Sequence, residues 1–347
     1  MWEWIKTWYR EKSIWLLFDD NRKNSDQLIA QYSLIPTPLS FFGEIFVAGK
    51  TENCMSHPDI RGTGIYFPHE KKYFEVAKER FKVFFTTTGD VAKGAPGRVR
   101  EKLGYRAFDD WVSYNSWISR DALRKDLMDK LPPLLQKMQI LRSVVAYFAA
   151  FLIWSMFKRK KSKYFNKFQS FTDKNMRFED IEDLWKRNKE QYGITVERST
   201  SYLKWRLREN PYQKHNYLCY YDGDVLMGYV VLAQGLDTFF IVDIFVDKKD
   251  KKIFQMALES SCEFAFQNSA IQVKCNTIKR SSFLSKELKS AGFFSLGELF
   301  SLGFKKKSKK PEQLFVYISD EIISSQNMWD PENWYVTDLI KEGRPYN

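Results

Sequence analysis

Alternation of apolar and polar positions opens early in the chain. SIWLLF (13–18) and QLIAQYSLI (27–35) are rich in β-branched, aromatic and aliphatic residues, and NRKNSD (21–26) supplies turn residues between them. The pattern predicts a β-hairpin, followed by a further strand near 44–55. HPDIRGTG (57–64) breaks the pattern, and from Phe67 to Arg80 the period changes. Tyr73, Phe74, Ala77 and Phe81 recur at helical spacing behind Pro68, a residue favoured in a first turn. FKVFFTTT (81–88) predicts a buried strand, and REKLGY (100–105) a short helix stopped by Gly104. The succession is strand, glycine-containing turn, helix, strand, so the fold class is α/β or α+β.

Residues 119–167 have another character. Asp121–Met138 is charged and helical in pattern apart from Pro132 and Pro133, and it leads into the uncharged run SVVAYFAAFLIWSMF (143–157) and a basic cluster. This segment is expected to link two domains, 1–118 and 168–347. A second succession starts near Phe168: a helix around Glu179–Gln191, strands YLCYYD (217–222) and VLMGYVVLA (225–233) about Gly223, then FFIVDIFV (239–246). Trp4 and Trp205 precede their hairpins at matching points, and LGY (103–105) is echoed by AGFF (291–294). The order of elements suggests a diverged duplication with a period of about 190–200 residues.

Composition narrows the reading. A length of 347 residues suits two domains, and 44% hydrophobic and 17% aromatic residues suffice for two cores. Four cysteines (54, 219, 262, 275) without a CxxC spacing, and only three histidines, argue against a zinc site or a disulfide framework. A reducing cytoplasm is the expected location, and the charged start MWEWIKTWYREK is unlike a secretory signal. The net charge of +12 resides mostly in two runs, Lys158–Lys163 and Lys305–Lys310, which hold ten of the twelve excess charges. Such runs ordinarily sit on solvated loops, so a specific nucleic-acid partner is not expected.

The segment His57-Pro58-Asp59-Ile60-Arg61-Gly62-Thr63-Gly64-Ile65 lies between an expected strand and an expected helix. A glycine-permitted turn lets successive amides converge on one point, and the helix start adds unpaired donors; Arg61 adds a cation. Phosphate is the natural ligand, although glycines in a plain turn serve geometry alone. The stretch resembles motif A of the GNAT superfamily of acyl-CoA-dependent N-acyltransferases, whose pattern is Arg or Gln, two residues, Gly, any residue, then Gly or Ala. Arg61 and Gly64 match it, and the last small position is Tyr66 here, expected to crowd the helix start.

The resemblance covers about residues 13–117, and 168–318 through order of elements alone. It implies two GNAT-like domains, each a mixed, mainly antiparallel twisted sheet flanked by helices, and a tandem protein whose second copy is degenerate. It also implies acetyl-CoA or another acyl-CoA as cofactor. The diphosphate would lie on Arg61, Gly62, Thr63, Gly64 and Ile65, and the pantetheine arm along the backbone of Cys54, Met55 and Ser56. REKLGY resembles the family's YEKLGF element, in which the Tyr protonates the departing thiolate; that position is Arg100. The family's first strand and helix have no counterpart ahead of the first hairpin, so part of the acceptor wall is expected to be absent or to come from elsewhere, such as the second half. There VDKKDKKIFQ (246–255) contains no glycine, and an anion-binding turn is not expected.

Transfer to an amine needs a base, and Glu52 and His57 stand nearest the cofactor strand. Glu52 can act through a water or be a solvated turn carboxylate beside Lys50; His57 can act or simply hold the loop. Asp243, inside an apolar strand, either faces the acceptor or belongs to a structural ion pair. The run 143–157 spans about 22 Å as a helix, short of the roughly 30 Å hydrocarbon core. A helix buried between the domains is the expectation, and peripheral membrane contact through 143–163 the alternative. The expected activity is bacterial, cytoplasmic N-acetyl or other N-acyl transfer to a small-molecule or glycan-precursor amine, such as an amino sugar of surface-polysaccharide synthesis. Aminoacyl transfer to a cell-wall precursor, as in the related Fem family, and non-catalytic acyl-CoA binding or scaffolding are the alternatives. Acceptor, acyl length and oligomeric state are not legible.

Overall fold

The computed structural model describes residues 4, 7–8, 14–23, 27–88, 95–130, 139–157, 162–295, 312–319, 326–341, 343 and 346. The prolines 132–133 and nearly all of both basic runs lie outside them. The first half runs β1 (Ile14–Phe18), β2 (Leu28–Phe41), β3 (Glu44–Ser56), α1 (Tyr66–Lys78), β4 (Val83–Thr88), α2 (Ala95–Lys102) and β5 (Arg106–Trp117). A helical pair follows, α3 (Arg120–Lys130) and α4 (Gln139–Phe157). The second half comprises β6 (Phe168–Thr172), α5 (Phe178–Asn188), β7 (Ile194–Val196), β8 (His215–Asp222), β9 (Val225–Gln234), β10 (Thr238–Val246), α6 (Lys251–Gln267), β11 (Gln272–Ile278), α7 (Ser282–Ser290) and β12 (Gln313–Ile318).

The expected duplication is visible as a repeated path. β2–β3–α1–β4–α2–β5 is retraced by β9–β10–α6–β11–α7–β12, with an antiparallel first pair and a parallel second pair in each. Both copies also carry a β-bulge in the strand before the turn. In β3, Asn53 and Cys54 face the single residue Tyr32; in β10, Val242 is the extra residue between Ile241 and Asp243. Trp4 and Trp205, matched in sequence, meet in space: their rings stack at 4.9 Å and each indole N–H donates to the other's carbonyl, at 2.9 and 3.0 Å.

One 12-stranded sheet contains both copies, in the order β1-β2-β3-β4-β12-β5-β11-β10-β9-β8-β6, with β7 pairing β2 off this path. The copies exchange their last strands. β12 is hydrogen-bonded to β4, while β5 pairs β12 through Arg106–Asp110 and β11 through Trp111–Trp117. The boundary near residue 118 therefore divides the sequence and not the sheet. β7 comes from the second half and pairs Leu39–Phe41 of β2, beyond the stretch of β2 that β1 covers.

The α3–α4 pair departs from the expected interface helix. Since β5 and β12 join the copies edge to edge, no layer between them is left for α4. It packs on α3 through Ala146 and Ala150, over Leu123, Leu127, Trp117 and Phe294, with Ile153 and Trp154 half-buried against the same cluster, and turns Ile140, Val144, Phe148, Phe151 and Leu152 outward. Among the described residues no helix is long and apolar enough to cross a membrane.

Candidate functional site

The site grows from the divergence of two parallel strands. β3 and β4 pair at Gly49–Phe84 and Lys50–Phe85; beyond that register a last bond from Thr86 Oγ1 to the Thr51 carbonyl, 3.1 Å, precedes the opening. The bulge at Asn53–Cys54 lies where the strands part. Without it Cys54 would follow Glu52 on one face. With it, Cys54 shares with Thr51 the face covered by α1 and α2, where Thr51 Oγ1 meets the Tyr105 hydroxyl at 3.2 Å.

From the end of β3 the chain enters the predicted loop. Pro58–Ile60 forms one 3₁₀ turn capped by His57, whose Nδ1 accepts the Asp59 amide at 3.3 Å. The Arg61 and Thr63 amides close onto the Pro58 and Ile60 carbonyls, at 3.1 and 3.2 Å. Among the described residues the amides of Gly62, Gly64 and Ile65 have no partner. Both glycines stand at positive φ, +86° and +85°, a conformation other residues resist, and nothing lies within 4 Å of where a Cβ would be. The 13-residue helix α1 begins here with no side-chain cap and no acidic residue in its first turn. Its partial positive charge is thus left uncompensated. Tyr66 does not crowd this opening, because its ring turns inward and packs on Tyr32 at 5.5 Å. Arg61 is exposed at the rim of a cleft of about 540 Å³ that Leu28–Gln31, Cys54–Ser56, His57 and Pro58 also line.

Behind the loop is a buried polar cluster that sequence reasoning missed. Glu70 of α1 and Arg100 of α2 form an ion pair that ties the two helices together, and Tyr32 donates to Glu70 at 2.5 Å. Arg100 Nη2 reaches the Cys54 sulfur at 3.5 Å. Burial pushes the Cys54 thiol up to about 11, against the lowering influence of the Arg100 charge. Burial would also lower the Arg100 pKa, but the surrounding Cys54, Tyr105, Tyr66 and Tyr32 override it and hold it above its ordinary value. The signal was present but faint: Glu70 belongs to the row Glu70, Tyr73, Phe74, Ala77, all buried, where it reads as one more charge in HEKK.

Comparison with solved structures gives a likeness of fold. Saccharomyces cerevisiae N-myristoyltransferase, crystallised with myristoyl-CoA and inhibitors, superposes with a TM-score of 0.51 over 85% of this chain and 66% of its own, at 11% identity. The fold is GNAT-like. A probable N-acyltransferase from Enterococcus faecalis gives 0.49 at 14% identity over 86% of this chain, which spans 61% of that protein's length. A tandem GNAT protein of the clavulanic acid pathway gives 0.47 at 10% identity, over 85% of this chain and 81% of its own. No protein-family model and no curated protein matches the sequence.

Within the GNAT-like frame the remaining candidates separate. Glu52 is not on a turn: it lies in β3, nearly buried, and its carboxylate is paired with the buried Lys50 ammonium. Its side chain is on the face opposite the Arg100 cluster. His57 holds the loop, with its amide bonded to the Ile29 carbonyl at 2.7 Å and its ring within 3.4 Å of Arg22 Nη1. Asp243 is fully buried and fully engaged: Arg198 donates two bonds to it at 2.9 and 2.8 Å, Tyr229 one at 2.5 Å and Thr337 one at 2.9 Å. The ion-pair alternative is the one that the geometry gives.

The second copy's turn is closed to anions, though not for the expected reason. Lys248 and Lys249 adopt φ of +48° and +50° without glycine. What differs is the helix start, where the Asp250 carboxylate caps α6 by accepting the Lys252 and Ile253 amides at 2.8 and 3.0 Å. A carboxylate there occupies the donors and repels a phosphate. Asp250→Ala is expected to cost about 1 kcal/mol of stability with acyl-CoA affinity unchanged, which denaturant titration and calorimetry would check.

Proposed function

We propose that this chain is an acyl-CoA-dependent N-acyltransferase acting on an amine, with acetyl-CoA or a longer acyl-CoA as donor. One observation carries the reading: an uncapped helix start with three unpartnered amides, beside Arg61, at the mouth of diverging parallel strands. These residues fit a diphosphate. Arg61, Gly62, Thr63, Gly64 and Ile65 would hold it, with the β3 backbone at Cys54–Ser56 beside the arm. When bound, the cofactor supplies an acyl group activated as a thioester. The chain's residues then have two tasks. Glu52, paired with Lys50, is the carboxylate proposed to accept the amine proton. Arg100 stays charged, so it cannot donate a proton readily; its guanidinium contacts the Cys54 sulfur, and its charge would stabilise a thiolate departing beside that residue.

The amino group of a sugar in surface-polysaccharide synthesis is the proposed acceptor, in a cytoplasmic or membrane-associated protein. A second reading, acyl-CoA binding without turnover, is favoured by the Glu70–Arg100 pair, which fills the space beneath the bulge. Calorimetric titration with acetyl-CoA, longer acyl-CoAs and free CoA, followed by thiol release in the presence of an amine panel, separates the readings. Thiol release that depends on an amine supports transfer. Binding without release leaves the second reading, and no binding at saturating cofactor excludes both.

A further inference from the structure

Helix α4 presents a broad apolar stripe to the outside. Ala146 and Ala150, 0% and 1% exposed, face the protein with Ile153 and Trp154 half-buried beside them, while Ile140 at 84%, Phe148 at 61% and Leu152 at 61% are exposed. Val144 and Phe151 are also exposed and complete the row 140, 144, 148, 151 and 152, a single stripe on a helix. Isolated exposed apolar residues are ordinary, but a contiguous stripe of this size is not. No charge interrupts the helix after Arg142, and Lys158, Arg159, Lys160, Lys161 and Lys163 follow directly in sequence. Close by, the Arg120 guanidinium lies 5.4 Å from the centre of the Tyr147 ring.

We infer that the outer stripe of α4 docks in the plane of an anionic phospholipid bilayer, with the basic run beside the headgroups. A helix of 19 residues, about 28 Å long, can lie along that plane, while the alanine face stays anchored on α3. The charge complementarity is what selects this occupant. A second copy seated on the same stripe would bring two runs of five cations into one assembly with no opposing charge supplied. Acyl transfer and this contact are independent: either can hold without the other.

Full-length protein would be sedimented with vesicles of phosphatidylglycerol and phosphatidylcholine, and with phosphatidylcholine vesicles alone. Binding to the anionic vesicles is expected, weakened by salt and at least tenfold weaker to the neutral ones. Phe148→Glu with Phe151→Glu should abolish it and leave acyl-CoA affinity unchanged, as should Lys158–Lys161 replaced by glutamine for the anionic preference alone. Recovery in the pellet that is absent, or indifferent to both substitutions, would overturn the inference. So would a concentration-dependent dimer, lost on the phenylalanine substitutions, in protein that ignores vesicles.

Discussion

Replacing Arg61 with Glu is expected to lower acyl-CoA affinity at least tenfold while leaving the fold intact. Arg61 is exposed and makes no core contact, so its loss should change stability little. A hydrogen bond to a charged group is worth about 1.5–3 kcal/mol, and about 1.4 kcal/mol is a factor of ten in binding. Reversing the charge sets a carboxylate against the diphosphate, which costs more than deletion. Gly64→Val tests the same loop through its backbone. At φ +85° a β-branched residue is strained whatever space surrounds it, so the amides of Gly64 and Ile65 would be re-aimed. Calorimetric titration of both variants, with circular dichroism as the fold control, decides. Unchanged affinity in both would leave the glycines with a purely geometric role.

The second large effect is on stability. Arg198→Met is expected to destabilise by about 3–5 kcal/mol, because it leaves Asp243 buried without its cation. Arg198 is itself 1% exposed and gives further bonds to Thr195 Oγ1 and the Val196 carbonyl, at 3.1 and 2.8 Å. It ties β7, and through it β2 of the first copy, to β10. The double variant Arg198→Met with Asp243→Leu removes both charges and should recover part of the loss, whereas Asp243→Leu alone should not. Denaturant melts of the three proteins would show it, and equal losses in all three would mean that packing, not charge, dominates.

What the sequence disclosed was local. The loop, its flanking strand and helix, and both hairpins follow from turn chemistry and from periods of 2 and 3.6, which neighbouring residues express. The direction of α4 was hidden because its run is apolar on every side, so no period marks a face; only the size difference between Ala146 and Phe148 does. The Glu70–Arg100 pair was hidden because each partner sits among ordinary helix charges. The closed turn at 246–255 was anticipated through its missing glycine, yet two lysines take up the positive φ and Asp250 does the closing. Nothing local announces that β12 inserts between β4 and β5.

That insertion sets a timetable for the nascent chain. Gln313 of β12 bonds to Asp110 across a separation of 203 residues. At synthesis rates of about 5–20 residues per second, that interval corresponds to roughly 10–40 s. Through it β4 waits with one row of backbone donors and acceptors open, an edge that other strands can capture. Contacts this remote are also slow to form. The first copy emerges early and is finished late.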